Sequence, residues 1–167
     1  LIPAGTTSGG DPLSLAALDE LIDAVDSPTH LIMSKAMRRR LTAASRATAV
    51  AGDIRWELNA FGRRVAFYND LPILIADYDD TGARILDFNE ASNNVTPGSS
   101  ATSIYCVSFG SNMVQGLQNG VMEVEDLGEI DSKPVYRTRV EWLVGLAIMH
   151  GRAAARLWSI SDAAVTA

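Results

Sequence analysis

Val135 to Ile148 is one long run of alternating apolar, aromatic and charged residues, Val-Tyr-Arg-Thr-Arg-Val-Glu-Trp-Leu-Val-Gly-Leu-Ala-Ile, longer than most strands in a compact domain. It follows Thr102-Ser103-Ile104-Tyr105-Cys106-Val107-Ser108-Phe109-Gly110, a Gly-rich bend and Asp126-Leu127-Gly128-Glu129, and it closes in Gly151-Arg152-Ala153-Ala154-Ala155-Arg156-Leu157. No catalytic punctuation interrupts this succession. Such a ribbon suits a structural building block better than an active-site scaffold, and Val135 to Ile148 is expected as a single final strand.

The rest of the chain has to supply the core. With 167 residues, 47% apolar and 20% charged, it suits one domain, which at this size buries roughly 70% of its unfolded surface without disulfide staples. The balance of 14 basic against 20 acidic residues, net −6, argues against sequence-specific or general nucleic-acid binding, which needs a basic surplus. Cys106 is the only cysteine, so no internal disulfide forms and an intracellular site of synthesis is expected. Leu1-Ile2-Pro3 does not begin a signal peptide, and the longest apolar run, Trp142 to Met149, is short of the ~20 residues of a spanning helix. A soluble chain with no membrane partner follows. The sequon Asn94-Val95-Thr96 reads as coincidence in that setting.

Residues 1–12 are turn-rich and aperiodic, the pattern of a flexible lead-in. Leu15, Leu18, Leu21, Ile22 and Val25 then recur at helical spacing. Ser27-Pro28 ends that helix, His30 to Met33 reads as a buried strand, and Ser34 can cap a second helix to about Arg46. Within Gly62 to Asp77 two β-rich runs flank Asn69-Asp70 as a hairpin or strand pair would, with Pro72 limiting how far the second run pairs at its start. Tyr78 to Ser100 reads as a long exposed loop. Ser103 to Phe109 is apolar on both faces, hence central in its sheet, and Val121 to Leu127 has one wet face.

Candidate sites are few. His30 and His150 are the only imidazoles, Cys106 lies mid-strand, and nothing around it resembles a nucleophile elbow, so no catalytic residue is assigned. Asp77-Tyr78-Asp79-Asp80-Thr81-Gly82 resembles the start of a calcium loop, but its twelfth position is Phe88 where a bidentate Glu is needed; a solvated acidic turn is favoured and no metal is assigned. Gly5, Gly9 and Gly10 lack phosphate-motif spacing, so no cofactor is assigned either. The basic face Arg38, Arg39, Arg40 and Arg46 is the candidate subunit interface, with Asp79 and Asp80 in the acidic 77–90 segment as its complement.

The order of these features resembles the major capsid proteins of tailed bacteriophages with the Hong Kong 97-like fold. The resemblance rests on the helix Leu15 to Val25, the strand His30 to Met33, the Arg-rich helix, Gly62-Arg63-Arg64-Val65 to Leu71-Pro72-Ile73, Ser103-Ile104-Tyr105, Phe109-Gly110, Asp126-Leu127-Gly128-Glu129 and Gly145-Leu146-Ala147, across roughly Ser14 to Ile160. It implies an α+β fold, a mixed sheet flanked by helices with a long C-terminal strand. Residues 13–134 would form an axial-type domain, and 135–162 a return strand and closing segment toward the peripheral domain. Family members carry an N-terminal arm, an extended loop and a spine helix before this region, so the chain is expected to be a C-terminal portion of a subunit. The implied function is structural, not enzymatic. Copies would self-assemble in the bacterial host cytoplasm into an icosahedral virion capsid around double-stranded DNA, with a scaffolding protein or portal as further partners. An encapsulin-type shell enclosing protein cargo is the alternative within the fold, and a small α/β enzyme with an acidic metal-binding loop the alternative outside it. With only Lys35 and Lys133 available, covalent crosslinking is not expected.

Overall fold

Ser14 and Ser34 each precede an apolar stripe of helical period, and each starts a helix by accepting from the backbone N–H three residues on, Ala17 and Met37 respectively. The computed structural model describes residues 1–46, 54–91, 100–130 and 133–166. The elements in order are β1 (Ile2–Pro3), α1 (Leu15–Asp23), β2 (His30–Ser34), α2 (Lys35–Ser45), β3 (Ile54–Leu58), β4 (Arg64–Tyr68), β5 (Leu71–Ala76), β6 (Ala101–Val107), β7 (Val114–Gln118), β8 (Glu123–Ile130), β9 (Lys133–Glu141), β10 (Val144–Ile148) and β11 (Ala154–Ser161).

Seven strands form one mixed sheet in the order β1-β11-β6-β2-β5-β4-β3. Connection chemistry explains much of this order. Asn69 and Asp70 both take positive φ, 45° and 63°, as a two-residue hairpin turn demands, so Tyr68 pairs directly with Leu71. β2 and β5 run parallel and therefore need a crossover, which α2 begins. The alternation of Leu31 and Met33, Ala66 and Tyr68, Leu71 and Ile73, and Ile104 and Cys106 sends one residue of every pair step to a single core. That core is closed by Leu18, Leu21 and Ile22 of α1 and Met37 and Leu41 of α2. The opposite face carries a smaller cluster in which Val107, Val114 and Ala153 meet Ile32, Tyr105 and Met113. β6 thus buries both faces, as its sequence implied.

Three elements depart from the sequence reading. The Val135 to Ile148 run is not one strand: it divides at Trp142-Leu143 into β9, paired with β8, and β10, paired with β7. Opposite that break the partner chain segment spends Gly120, Val121 and Met122, and Gly120 has φ 78°, so an unequal residue count across the ribbon forces the interruption. Second, the turn-rich lead-in is tied down. Ile2 and Pro3 pair in parallel with Leu157 and Trp158, Asp11 accepts from Thr7 N–H, and Asp11 N–H donates to Ser159 O. Gly10 (φ +94°) passes so close that a Cβ there would lie 2.7 Å from Ser159 O, which is why glycine stands in what reads as a linker. Third, β3 lies in a stretch without clear periodicity; cross-strand pairing of Trp56 with Ala66 and Glu57 with Val65 makes it a strand. The exposed loop expected from Tyr78 to Ser100 contributes Leu86 and Phe88 to the interior side, and its sequon Asn94-Val95-Thr96 lies outside the described residues.

Leu31 is fully buried on β2 between β5 and β6. Leu31→Ala is expected to lower the unfolding free energy by about 2–5 kcal/mol, and Ser34→Ala by about 1 kcal/mol through its lost cap. Urea denaturation checks both, and a Leu31→Ala loss below about 0.5 kcal/mol would contradict its central placement.

Candidate assembly surfaces

The seam between β6 and β11 leaves everything from Ser108 to Ala153 outside the main sheet. This segment folds back on itself as a β-arm. Its inner half pairs β7 with β10, continued by Asn119 N–H donating to Leu143 O, and its outer half pairs β8 with β9 from Glu123↔Glu141 to Ile130↔Lys133. A two-stranded ribbon is marginal alone, and this one is coated with apolar side chains. Val144, Leu146 and Ile148 line one face of β10, with Leu146 70% exposed, and Trp142, Leu143 and Met149 flank them. Further out Val124 and Val140 oppose each other on one face, and Tyr136 is 75% exposed. Continuous exposed apolar surface on a ribbon with free hydrogen-bonding edges is the mark of an interaction surface.

The second surface is the basic face of α2. The structure places its four arginines differently. Arg40 is engaged within the chain by Asp162 and lies 5.8 Å from the Phe88 ring centroid. Arg38 stacks over Trp56 at 5.9 Å, with its Nε buried and unpartnered among the described residues. Arg39 and Arg46 are exposed. The acidic segment borders the same helix within one chain: Lys35 pairs with Asp77, Arg84 pairs with Asp87 at 3.4 Å, and Tyr78 and Phe88 complete a cleft of ≈ 270 Å³ against Lys35, Arg38 and Arg39.

Asp79 is occupied by its own turn. Its Oδ1 accepts from the Thr81 hydroxyl at 2.7 Å, the Ala83 N–H at 2.8 Å and the Thr81 N–H at 3.0 Å. These bonds, led by the Thr81 hydroxyl, hold its carboxyl below the usual carboxylate range. Asp79 Oδ1 is thus engaged within its own turn, Asp77 is paired with Lys35, and Phe88 packs against the core. Asp80 is exposed beside it. Among the described residues no three His, Cys, Asp or Glu side chains are grouped to hold a metal ion.

Cys106 is fully buried, opposite Leu31 on one side and Ala155 on the other. Burial pushes its thiol up to about 11, the reverse of what a nucleophile needs near neutrality. His30 is turned to Thr29 and packs edge-on to Phe109, with centroids 5.3 Å apart. No helix of the described residues is long and apolar enough to cross a membrane.

One polar group escapes any reading of the sequence. Arg156 on β11 donates to Ser103 Oγ at 3.0 Å and Glu90 Oε2 at 2.9 Å, Ser103 also donates to Glu90, and the guanidinium lies 5.8 Å from the Tyr105 centroid. Glu90 stands in a loop, and only the seam of β6 with β11 brings the three together. This network locks the strands from which the arm departs.

The seven-stranded mixed sheet, the two helices on its core face and the projecting ribbon make the α+β arrangement expected of the Hong Kong 97-like fold. Among solved structures that match is the holo-SrpI encapsulin complex from Synechococcus elongatus PCC 7942, determined by cryo-electron microscopy, with a TM-score of 0.69 and 17% identity. The alignment covers 99% of this chain and 55% of that one, so the chain spans about half the length of that neighbour. No protein-family model matches the sequence, and no curated protein matches it significantly.

The raised Cys106 pKa has a consequence for stability. The unfolded thiol ionises near its ordinary 9.0 while the folded one holds its proton to about 11. This contribution is therefore complete below pH 9 and is lost as pH rises from 9 through 11. Urea midpoints of native protein and Cys106→Ala should diverge less above pH 9 than at pH 8, and alkylation of Cys106 at pH 8 should track unfolding. Rapid alkylation of the folded chain would contradict the burial. Calcium should leave the melting temperature of both native protein and Asp79→Asn unchanged, whereas a calcium-dependent rise confined to native protein would restore the acidic loop as a metal site.

Proposed function

We propose that this chain is part of the subunit of an encapsulin-type protein shell, a structural and non-enzymatic component that assembles with copies of itself and encloses protein cargo in the bacterial cytoplasm. The observation that carries this is the correspondence of 99% of the chain, at TM-score 0.69, with a subunit of an encapsulin complex. The exposed apolar β-arm supports it, because a surface of that kind is stabilised when neighbours cover it, and many modest symmetric contacts sum to a stable particle. In this reading the main sheet and its two helices supply the axial-type domain, while β7 and β8, within the 13–134 segment, project with the arm. The segment 135–162 serves the peripheral side through β9 and β10 before β11 returns to the main sheet.

The sequence by itself favours a DNA-filled phage or prophage capsid, with a scaffolding protein or portal as partners. The encapsulin neighbour favours the cargo-enclosing shell. The two differ in what they contain, and an acidic subunit is compatible with either.

Electron microscopy of the product of the complete reading frame containing this sequence is expected to show closed, uniform polyhedral shells. Their contents separate the readings: protein without nucleic acid supports the encapsulin type, and packaged double-stranded DNA supports the capsid. A uniform population of small discrete oligomers under several assembly conditions would count against both.

A further inference from the structure

Among the described residues, Glu123 and Glu125 on the β-arm and Arg39 and Arg46 of α2 are exposed charges without an ion pair, and we infer that they meet between copies, the arm of one subunit against α2 of the next. The inference rests on the shell reading and names which faces of the identical copies pair.

The acidic side follows from the pleat. Glu123 and Glu125 are two residues apart on β8 and share a face, with Glu141 and Arg139 directly opposite on β9. Arg139 is already engaged by Glu141. Glu123 therefore faces a like charge across the ladder, an unfavourable arrangement within a lone ribbon, and neither Glu123 nor Glu125 has an ion pair among the described residues. A cation from outside the ribbon relieves the opposition of Glu123 to Glu141 and gives an ion partner to Glu125, whose facing Arg139 is engaged by Glu141.

The basic side follows from the helix. Residues 39 and 46 are two turns apart, about 10 Å along one stripe that ends at the helix cap. Their cationic neighbours are spoken for: Lys35 by Asp77, Arg40 by Asp162 and Arg84 by Asp87. Arg39 and Arg46 are exposed and make no ion pair with a described residue. Asp79, whose carboxylate closes its own turn, is a poor complement to them. The β8 carboxylates project from an exposed strand and suit the guanidinium fork.

A second copy is the occupant because each chain carries both halves of the contact. The two patches differ, so the contact is heterologous: each copy donates its arm to one neighbour and its helix to the other, which is how a ring closes. An acidic chain of net −6 gains further, since pairing an exposed basic stripe with its own carboxylates offsets repulsion between copies.

Charge reversal in the full-length chain tests this. Arg39→Glu with Arg46→Glu, and separately Glu123→Lys with Glu125→Lys, should each lower the assembled fraction at moderate salt by about tenfold. The four changes together should restore it to within about twofold. Circular dichroism melts establish that each variant folds. For any that does not, Arg39→Cys with Glu125→Cys and a short bis-maleimide should crosslink neighbouring copies; absence of that crosslink in assembled particles overturns the contact. Particles indifferent to either reversal, or lost in both without recovery in the combination, also overturn it. If the Arg reversal removes only co-purifying nucleic acid while assembly persists, the stripe is a polyanion site and the pairing is wrong. A native chain that forms no particles refutes the shell reading itself, a result distinct from all of these.

Discussion

The antiparallel seam between β6 and β11 closes the main sheet across a long insertion, and nearly every other feature follows from that closure. β6 is buried on both faces and lies between β2 and β11, so it has no solvent side on which to tolerate a slip of register. β11 reaches it only after the chain has travelled out and back through four strands. The Arg156–Ser103–Glu90 network holds the seam from the face opposite the helices, and the bulge between Leu157 and Ile160 is where the N-terminal segment docks through Gly10 and Asp11. Both chain ends are thereby gathered at one edge of the sheet.

The same closure makes the β-arm an outcast. Its residues lie outside the main sheet, and a ribbon two strands wide cannot bury its own side chains. Val144, Leu146 and Ile148 remain in solvent while Val114, at the root of the same ribbon, is buried against Val107 and Ala153. A lone monomer has no evident use for such a surface. In the proposed shell, neighbours would convert it into core, and the free-energy cost of exposure in the monomer would become a driving force for assembly. The polar pattern on the outer arm and on α2 adds direction to that non-specific attraction, as charges commonly do at interfaces.

Much of the architecture was legible locally. The apolar spacing from Leu15 to Val25 announced the first helix and Ser34 the second, Asn69-Asp70 announced its hairpin, and the two-sided apolar pattern of Ser103 to Phe109 announced a central strand. These signals are short-range: a cap, a turn and a period act over a few residues and need no distant partner. β3, the docking of the lead-in and the Glu90–Arg156 contact were not legible, since each depends on a partner remote in sequence. The Val135 to Ile148 run misled for a related reason. Periodicity reports that residues are extended, and it is silent on which strand they pair with, so one run became two strands with different partners.

The sequence by itself determined the composition of a foldable acidic domain, the two amphipathic helices, the buried strands and the order of features that resembles the Hong Kong 97-like shell proteins. Only the tertiary structure decided which apolar residues become core and which stay outside, because alternation looks the same in a strand that enters a sheet and in one that leaves it. Only it decided that Arg40, Lys35 and Asp79 are engaged within the chain while Arg39, Arg46, Glu123 and Glu125 make no ion pair with a described residue. Whether a charge is spent depends on what lies within a few ångströms in space, and pairings between residues far apart in the chain, such as β2 with β5 beside Lys35 and Asp77 and β6 with β11 before Asp162, set many of those distances.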